Sequence, residues 1–208
     1  MKKEQFDFYG HNKAILPGFV WLPEGNVNAV VQITHGMTEH MGRYDAFAQY
    51  LCDRGIAVAG FDLRGHGRNP GDRSVASFGE GGWAASIEDM QLFYELLEQR
   101  LPGVPHYMLG FSLGSFLLRE YLTKYPEEGG IAGAIIMGTS DLPGMLLKAS
   151  QVLCKVLATV RGWHYRSPLI DSFIIRYRHI RHIHFHLHLC SIAAPICRSS
   201  DDHKCTRT

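Results

Sequence analysis

The pentapeptide Gly110-Phe111-Ser112-Leu113-Gly114 constrains this chain more than any other feature, because of what flanks it. The apolar run His106 to Phe111 reads as a strand entering the pentapeptide directly. Leu113 to Tyr125 reads as a helix leaving it directly and stopping at Pro126. A strand that becomes a helix across one residue needs a turn so tight that flanking side chains would collide, and Gly110 and Gly114 remove them. Ser112 is then pushed into the open at a helix N-terminus, where the dipole and free N–H groups favour developing negative charge. The G-x-S-x-G spacing in this context makes Ser112 a candidate nucleophile. The plain alternative is a serine that caps the helix, but a cap requires neither glycine.

The residues up to Met137 alternate strands with helices. Asn28 to Thr34, Ile56 to Phe61 and Ile131 to Met137 are buried-strand runs, the last reading as buried on both faces. Tyr44 to Arg54 spaces Phe47, Ala48, Leu51 and Cys52 as one helix face, and Gly55 stops it. Trp83 to Leu101 does the same with Ile87, Met90, Phe93, Tyr94 and Leu97, closed by Pro102. Phe6 to Gly10 and Phe19 to Leu22 read as shorter strands that enter the sheet antiparallel. This order predicts an α/β fold, a mostly parallel sheet with helices on both faces. In such a sheet the site lies at the carboxyl ends of the strands, where His35, Asp62 and Ser112 all fall.

Acyl transfer through a serine requires two fixed donors for a tetrahedral oxyanion. The backbone N–H of Leu113 is one. The turn His35-Gly36-Met37 supplies the other, assigned to Met37 N–H, with Gly36 allowing close approach. His35 reads as a turn residue bonded to its own loop and is not assigned as a base.

Three stretches carry a family resemblance. His35 to Tyr44 (HGMTEHMGRY) resembles the HG-x-x-EH-x-x-RY element of the monoacylglycerol lipase and serine-aminopeptidase-like α/β-hydrolases. Asp62 to Arg68 (DLRGHGR) resembles their D-x-R-G-H-G loop, and Gly110 to Gly114 their nucleophile elbow. The resemblance covers about residues 6 to 172. It implies the α/β-hydrolase fold, serine ester hydrolase activity on carboxylic esters such as monoacylglycerols or lysophospholipids, and no cofactor. Asn69 stands where the family often has serine. The larger departure is the triad's acid and histidine, which in the family follow the cap, on turns after two further strands. This chain ends before those strands, so a fold truncated after the start of the cap is expected, catalytically incomplete and turning esters over near background, with acid and base unassigned.

Composition divides the rest. Residues 1–141 read as the core, 142–173 as the start of a cap or an ordinary covering helix, and 174–208 as an anomalous tail. Met145, Leu146, Ala149, Val152, Leu153, Val156 and Leu157 share the helix face of the middle segment. Every glycine precedes Trp163 and the last glutamate is Glu128, whereas six of the twelve histidines lie beyond Ile174. His179, His182, His184, His186, His188 and His203 are candidate bases, and Asp141, Asp201 and Asp202 candidate acids. None has the strand-turn setting of the family's triad. His182 to Leu189 alternates histidine with apolar residues, a pattern compatible with metal affinity. A low-complexity or out-of-frame end that never folds is the expectation, and no metal site is assigned. Two rivals stay open: an active esterase with a tail histidine as base, and a non-catalytic binding or metal-sequestering scaffold.

A net charge of +1 gives no case for nucleic acid or an anionic membrane surface. No run of about 18 apolar residues predicts a membrane span, and none behind Lys2-Lys3 predicts a secretory leader. Five scattered cysteines make no disulfide framework. A cytoplasmic protein is therefore expected, and the resemblance implies a small acyl-ester or lipid-like substrate.

Overall fold

The computed structural model describes residues 1–69, 78–79, 81–125, 130–139, 144–162, 165 and 167–168. Strands β1 (Lys2–Tyr9) and β2 (Ile15–Leu22) pair antiparallel over their whole length, Lys2 opposite Leu22 through Tyr9 opposite Ile15. Both are longer than their apolar residues suggest. β1 is a sheet edge whose outward positions Lys3, Gln5 and Asp7 are exposed, so only Phe6 and Phe8 mark it in the sequence.

β2 passes antiparallel to β4 (Ile56–Phe61), and from there the sheet is parallel: β4 with β3 (Ala29–Thr34), β3 with β5 (His106–Phe111), β5 with β6 (Ile131–Met137). The order is β1-β2-β4-β3-β5-β6. Helix α1 (Asp45–Cys52) covers one face, where Ala48 and Cys52 meet Trp21, Val31, Ile33, Val58 and Leu109. Helices α2 (Gly82–Arg100) and α3 (Leu113–Lys124) cover the other, packing Met90, Phe93, Leu97, Leu117 and Tyr121 on Phe8, Val20, Val30, Ala57, Phe61 and Met108. The two faces follow from the period-two alternation of each strand: Val30 points one way, Val31 the other. Each such side chain, fully buried, stabilises the fold by about 1.5–3 kcal/mol.

Two expectations are corrected. Phe47 is 40% exposed rather than part of the α1 core face, which Ala48 and Cys52 carry. β6 does not bury both faces: its residues alternate between half-buried and exposed, because it is the outermost strand among those described. One polar group crosses the α2 face. The Gln32 side chain donates to the Met90 carbonyl at 3.1 Å and accepts from His106 Nε2 at 3.1 Å, which ties β3 and β5 to α2. The His106 ring packs tilted against Tyr94 with centroids 4.5 Å apart, and burial pushes its pKa down to about 4.

Residues 1–144 form one compact unit. Helix α4 (Gly144–Arg161), expected from the apolar face of its sequence, belongs from Met145 onward to a second, and exposes Met145, Val152, Leu153 and Val156. No described helix is long and apolar enough to cross a membrane.

Candidate active site

β5 ends at Phe111 and α3 begins at Leu113, leaving Ser112 alone between them. Its backbone sits at φ 51°, ψ −113°, a region that non-glycine residues avoid at a cost of about 1–3 kcal/mol. The surroundings hold it there. Ser112 N–H donates to the Met137 carbonyl at 2.9 Å, continuing the β5–β6 ladder one residue past the strand. The Ser112 carbonyl accepts from Ser115 twice, from N–H at 2.9 Å and from Oγ at 2.6 Å. The Ser112 side chain makes no capping bond, so the alternative of a serine serving α3 as its cap fails on geometry. The two glycines are obligatory. A Cβ on Gly110 would lie 2.4 Å from the Gly114 carbonyl oxygen, and one on Gly114 would lie 1.9 Å from that of Thr34.

The turn after β3 rests against this elbow. A Cβ on Gly36 would meet Phe111 Cδ1 at 3.2 Å and Ser112 Cβ at 3.3 Å. Met37 follows, 40% exposed, then Thr38 in the left-handed region at φ 58°. The Glu39 carboxylate closes the turn, accepting from Gly36 N–H at 3.0 Å and from the Tyr44 hydroxyl at 3.2 Å while its other oxygen pairs with Arg43 at 3.0 Å. Burial and the neighbouring Glu39 raise the pKa of the Tyr44 phenol.

His35 is a buried strut. Its Nε2 accepts from Leu63 N–H at 3.0 Å, which puts the ring proton on Nδ1, and Nδ1 donates to the Gly36 carbonyl at 2.8 Å. Burial pushes its pKa down to about 4, and the ring stays neutral. This is the loop role expected of it. Asp62, also fully buried, accepts from Met41 N–H at 2.7 Å and Arg68 N–H at 2.8 Å. His35 and Asp62 thus lock the two loops beyond β3 and β4 together.

A second lock lies beneath them. Arg64 meets Asp89 of α2 in a two-pronged pair of 2.6 and 2.9 Å, and its other contact is the His11 carbonyl at 2.8 Å. Asp89 also accepts from His11 N–H at 2.7 Å. The sequence reading missed both Asp89 and the use of Glu39. Asp89 had a signal: an acid at the helical spacing of Ser86, Met90 and Phe93, on an otherwise uncharged helix face. His66 Nδ1 bonds the Arg64 carbonyl at 2.8 Å, while its buried Nε2 has no hydrogen-bond partner among the described residues, a bond that an ordered water would supply.

The structure therefore brings Gly110, Ser112, Leu113 and Gly114 together with the turn that carries Met37. It does not extend this to the candidate acids and bases Asp141, His179, His182, His184, His186, His188, Asp201, Asp202 and His203, which lie outside the described residues. A cavity of about 550 Å³ lined by Glu24, Asn28, Gln49, Cys52 and Gly55 sits at the amino ends of β3 and β4, at the opposite end of the sheet from Ser112, and belongs to no part of this site.

The sequence matches the profile of the serine aminopeptidase S33 family over residues 25–194, most of its length. This chain belongs to the serine aminopeptidase S33 family. The match starts after the β1–β2 hairpin and runs past Phe173, so the family likeness begins later and reaches further than the motifs alone implied. The fold is that of the α/β-hydrolases. A thermostable carboxyl esterase from Bacillus coagulans in complex with glycerol is 25% identical with a TM-score of 0.65, over 78% of this chain and 56% of that one. A soluble variant of Saccharomyces cerevisiae monoglyceride lipase with a substrate analogue, 24% identical, shares the fold at a TM-score of 0.60, over 76% of this chain and 52% of that one. Homo sapiens monoglyceride lipase is 30% identical over 158 residues, 75% of this chain and 50% of that protein. The monoacylglycerol lipase of Mycolicibacterium smegmatis is 29% identical over 144 residues, 66% of this S33 family member and 49% of that protein. The chain spans about half the length of these curated relatives.

Proposed function

We propose that this chain carries the acyl-transfer chemistry of a serine ester hydrolase, with Ser112 as nucleophile and a carboxylic ester of the monoacylglycerol or lysophospholipid kind as substrate. The observation that carries the reading is Ser112 itself, held at φ 51° with a side chain spent on no cap. Strain of this sort persists where surroundings over-determine it, and it clusters at reacting groups. The names of the relatives, monoglyceride lipases and a carboxyl esterase, support the substrate class.

In this reading Ser112 Oγ attacks the ester carbonyl carbon and the carbonyl oxygen takes up the charge. Leu113 N–H, the first of α3 and without an intrahelical acceptor, donates to that oxygen, and Met37 N–H is the second donor. Loss of one such donor costs about 3 kcal/mol of transition-state stabilisation. Collapse expels the alcohol, and water then releases the acyl group. The Ser112 proton needs a base within about 2.6–3.2 Å of Oγ. His35 and His106 are not that base: His35 uses both ring nitrogens within its own loops, and His106 stands at the amino end of β5, bonded to Gln32, with Ser112 beyond the other end of that strand. The acid and base stay unassigned, and the chemistry uses no cofactor. The test is release of p-nitrophenol from p-nitrophenyl butyrate by the chain beside Ser112→Ala. Release above the buffer rate that vanishes in the variant supports the proposal; equal release by both sinks it.

A further inference from the structure

The Glu39 carboxylate is an unusual neighbour for a site that must stabilise a negative charge. One oxygen, Oε2, lies 3.1 Å from the point that a Gly36 Cβ would occupy, and Ser112 Cβ lies 3.3 Å from the same point. A carboxylate this close to a developing oxyanion is unfavourable unless it is neutralised and serves another purpose. Both conditions are met. Arg43, four residues along, pairs with Oε1 at 3.0 Å. Oε2 accepts from Gly36 N–H and from the Tyr44 hydroxyl, so it spans both ends of the Gly36 to Tyr44 segment. Thr38 in the left-handed region would otherwise let this turn relax.

We propose that Glu39 is a positioning residue: its carboxylate holds the turn after β3 against Ser112 so that Met37 N–H is presented to the oxyanion, and Arg43 cancels the charge this requires. The inference rests on the proposed function and deepens it, since it assigns the oxyanion donor a support that acts through Gly36. Hydrogen bonds to ionised groups are about twice as strong as neutral ones, which suits a carboxylate for fixing a strained turn. Glu39 touches no reacting atom in this account.

The experiment uses phenylboronic acid, which adds Ser112 Oγ to form a tetrahedral boronate and releases one proton to solvent. ¹¹B NMR of the full chain at fixed pH distinguishes trigonal from tetrahedral boron. The account expects a tetrahedral adduct with the chain itself and none with Ser112→Ala. Glu39→Gln keeps an acceptor for Gly36 N–H and should stay within about threefold of the unsubstituted affinity. Glu39→Asp keeps the charge but withdraws the oxygen from Gly36, and should weaken the adduct about tenfold or more, as should Glu39→Ala. Thermal melts of the unsubstituted chain and the three Glu39 variants separate this from general damage, and if Glu39→Ala does not fold the Asp and Gln pair decides. An Asp variant that binds as tightly as the unsubstituted chain, or a Gln variant as weak as the Asp one, overturns the role of Glu39. No adduct even with the unsubstituted chain overturns the proposed function instead.

Discussion

Replacing Gly114 by alanine tests the elbow through stability alone. The added Cβ would lie 1.9 Å from the Thr34 carbonyl oxygen, 2.6 Å from its carbon and 2.8 Å from the His35 carbonyl oxygen. All three atoms are backbone at the end of β3, which β4 and β5 grip from both sides, so no side chain can swing away. Relief requires α3 to move off the sheet, and α3 buries Leu117, Leu118 and Tyr121. Overpacking in a well-packed core costs about 1–3 kcal/mol where side chains can adjust. Here they cannot, and a loss of about 3 kcal/mol or more is expected, a large part of the roughly 5–15 kcal/mol that holds a domain together. Gly25→Ala is the control, because its Cβ would meet nothing within 4 Å. It should change stability by about 1 kcal/mol or less. Urea unfolding followed by the fluorescence of the fully buried Trp21 reads both. A Gly114→Ala midpoint indistinguishable from that of the control would refute the tight approach of α3 to β3.

The remaining expectations follow from the same contacts. Ser112→Gly should stabilise the chain by about 1 kcal/mol or more while ending its chemistry, since glycine accepts φ 51° without strain, and urea midpoints check it. His35 and His106 are held neutral with pKa values near 4 against about 6.5 unfolded, so the unfolded chain binds more protons between those values. Stability is full above about pH 6.5 and falls toward pH 4, by about 3 kcal/mol per histidine, and a midpoint flat over that window would contradict the burial argument. Asp89→Ala leaves the largely buried Arg64 without its carboxylate and should cost about 3–5 kcal/mol; adding Arg64→Met should recover part of it, and strict additivity in that double-mutant cycle would deny the pair. Ile136, 40% exposed on the outermost described strand, should drive self-association, so Ile136→Lys should lower light scattering at equal concentration.

How much of this was legible depended on whether an apolar pattern or a polar partner made the structure. β4, β5 and β6 end where the sequence places them because each is a short apolar run between turn residues. The elbow was legible because two glycines and a serine at fixed spacing have few other reasons to stand between a strand and a helix. β1 was read short because its outward half is polar. β6 was misjudged because a uniformly apolar strand does not say whether it has one neighbour or two. The Arg64–Asp89 pair and the Glu39 turn were illegible as partnerships: charges 25 residues apart, or a glutamate bonded to a backbone N–H, leave no periodicity. The proposed oxyanion donors at Met37 and Leu113 could be named only from turn context, since a backbone donor leaves no side-chain signature.

The central claim is that Ser112 is the nucleophile, and covalent labelling tests it most directly. The chain is incubated with an aryl fluorophosphonate, and the modified residue is located by peptide mass spectrometry beside Ser112→Ala. The account predicts a single phosphonyl adduct on the peptide containing Ser112 and none in the variant. An adduct on another residue, or equal labelling of the variant, would contradict it.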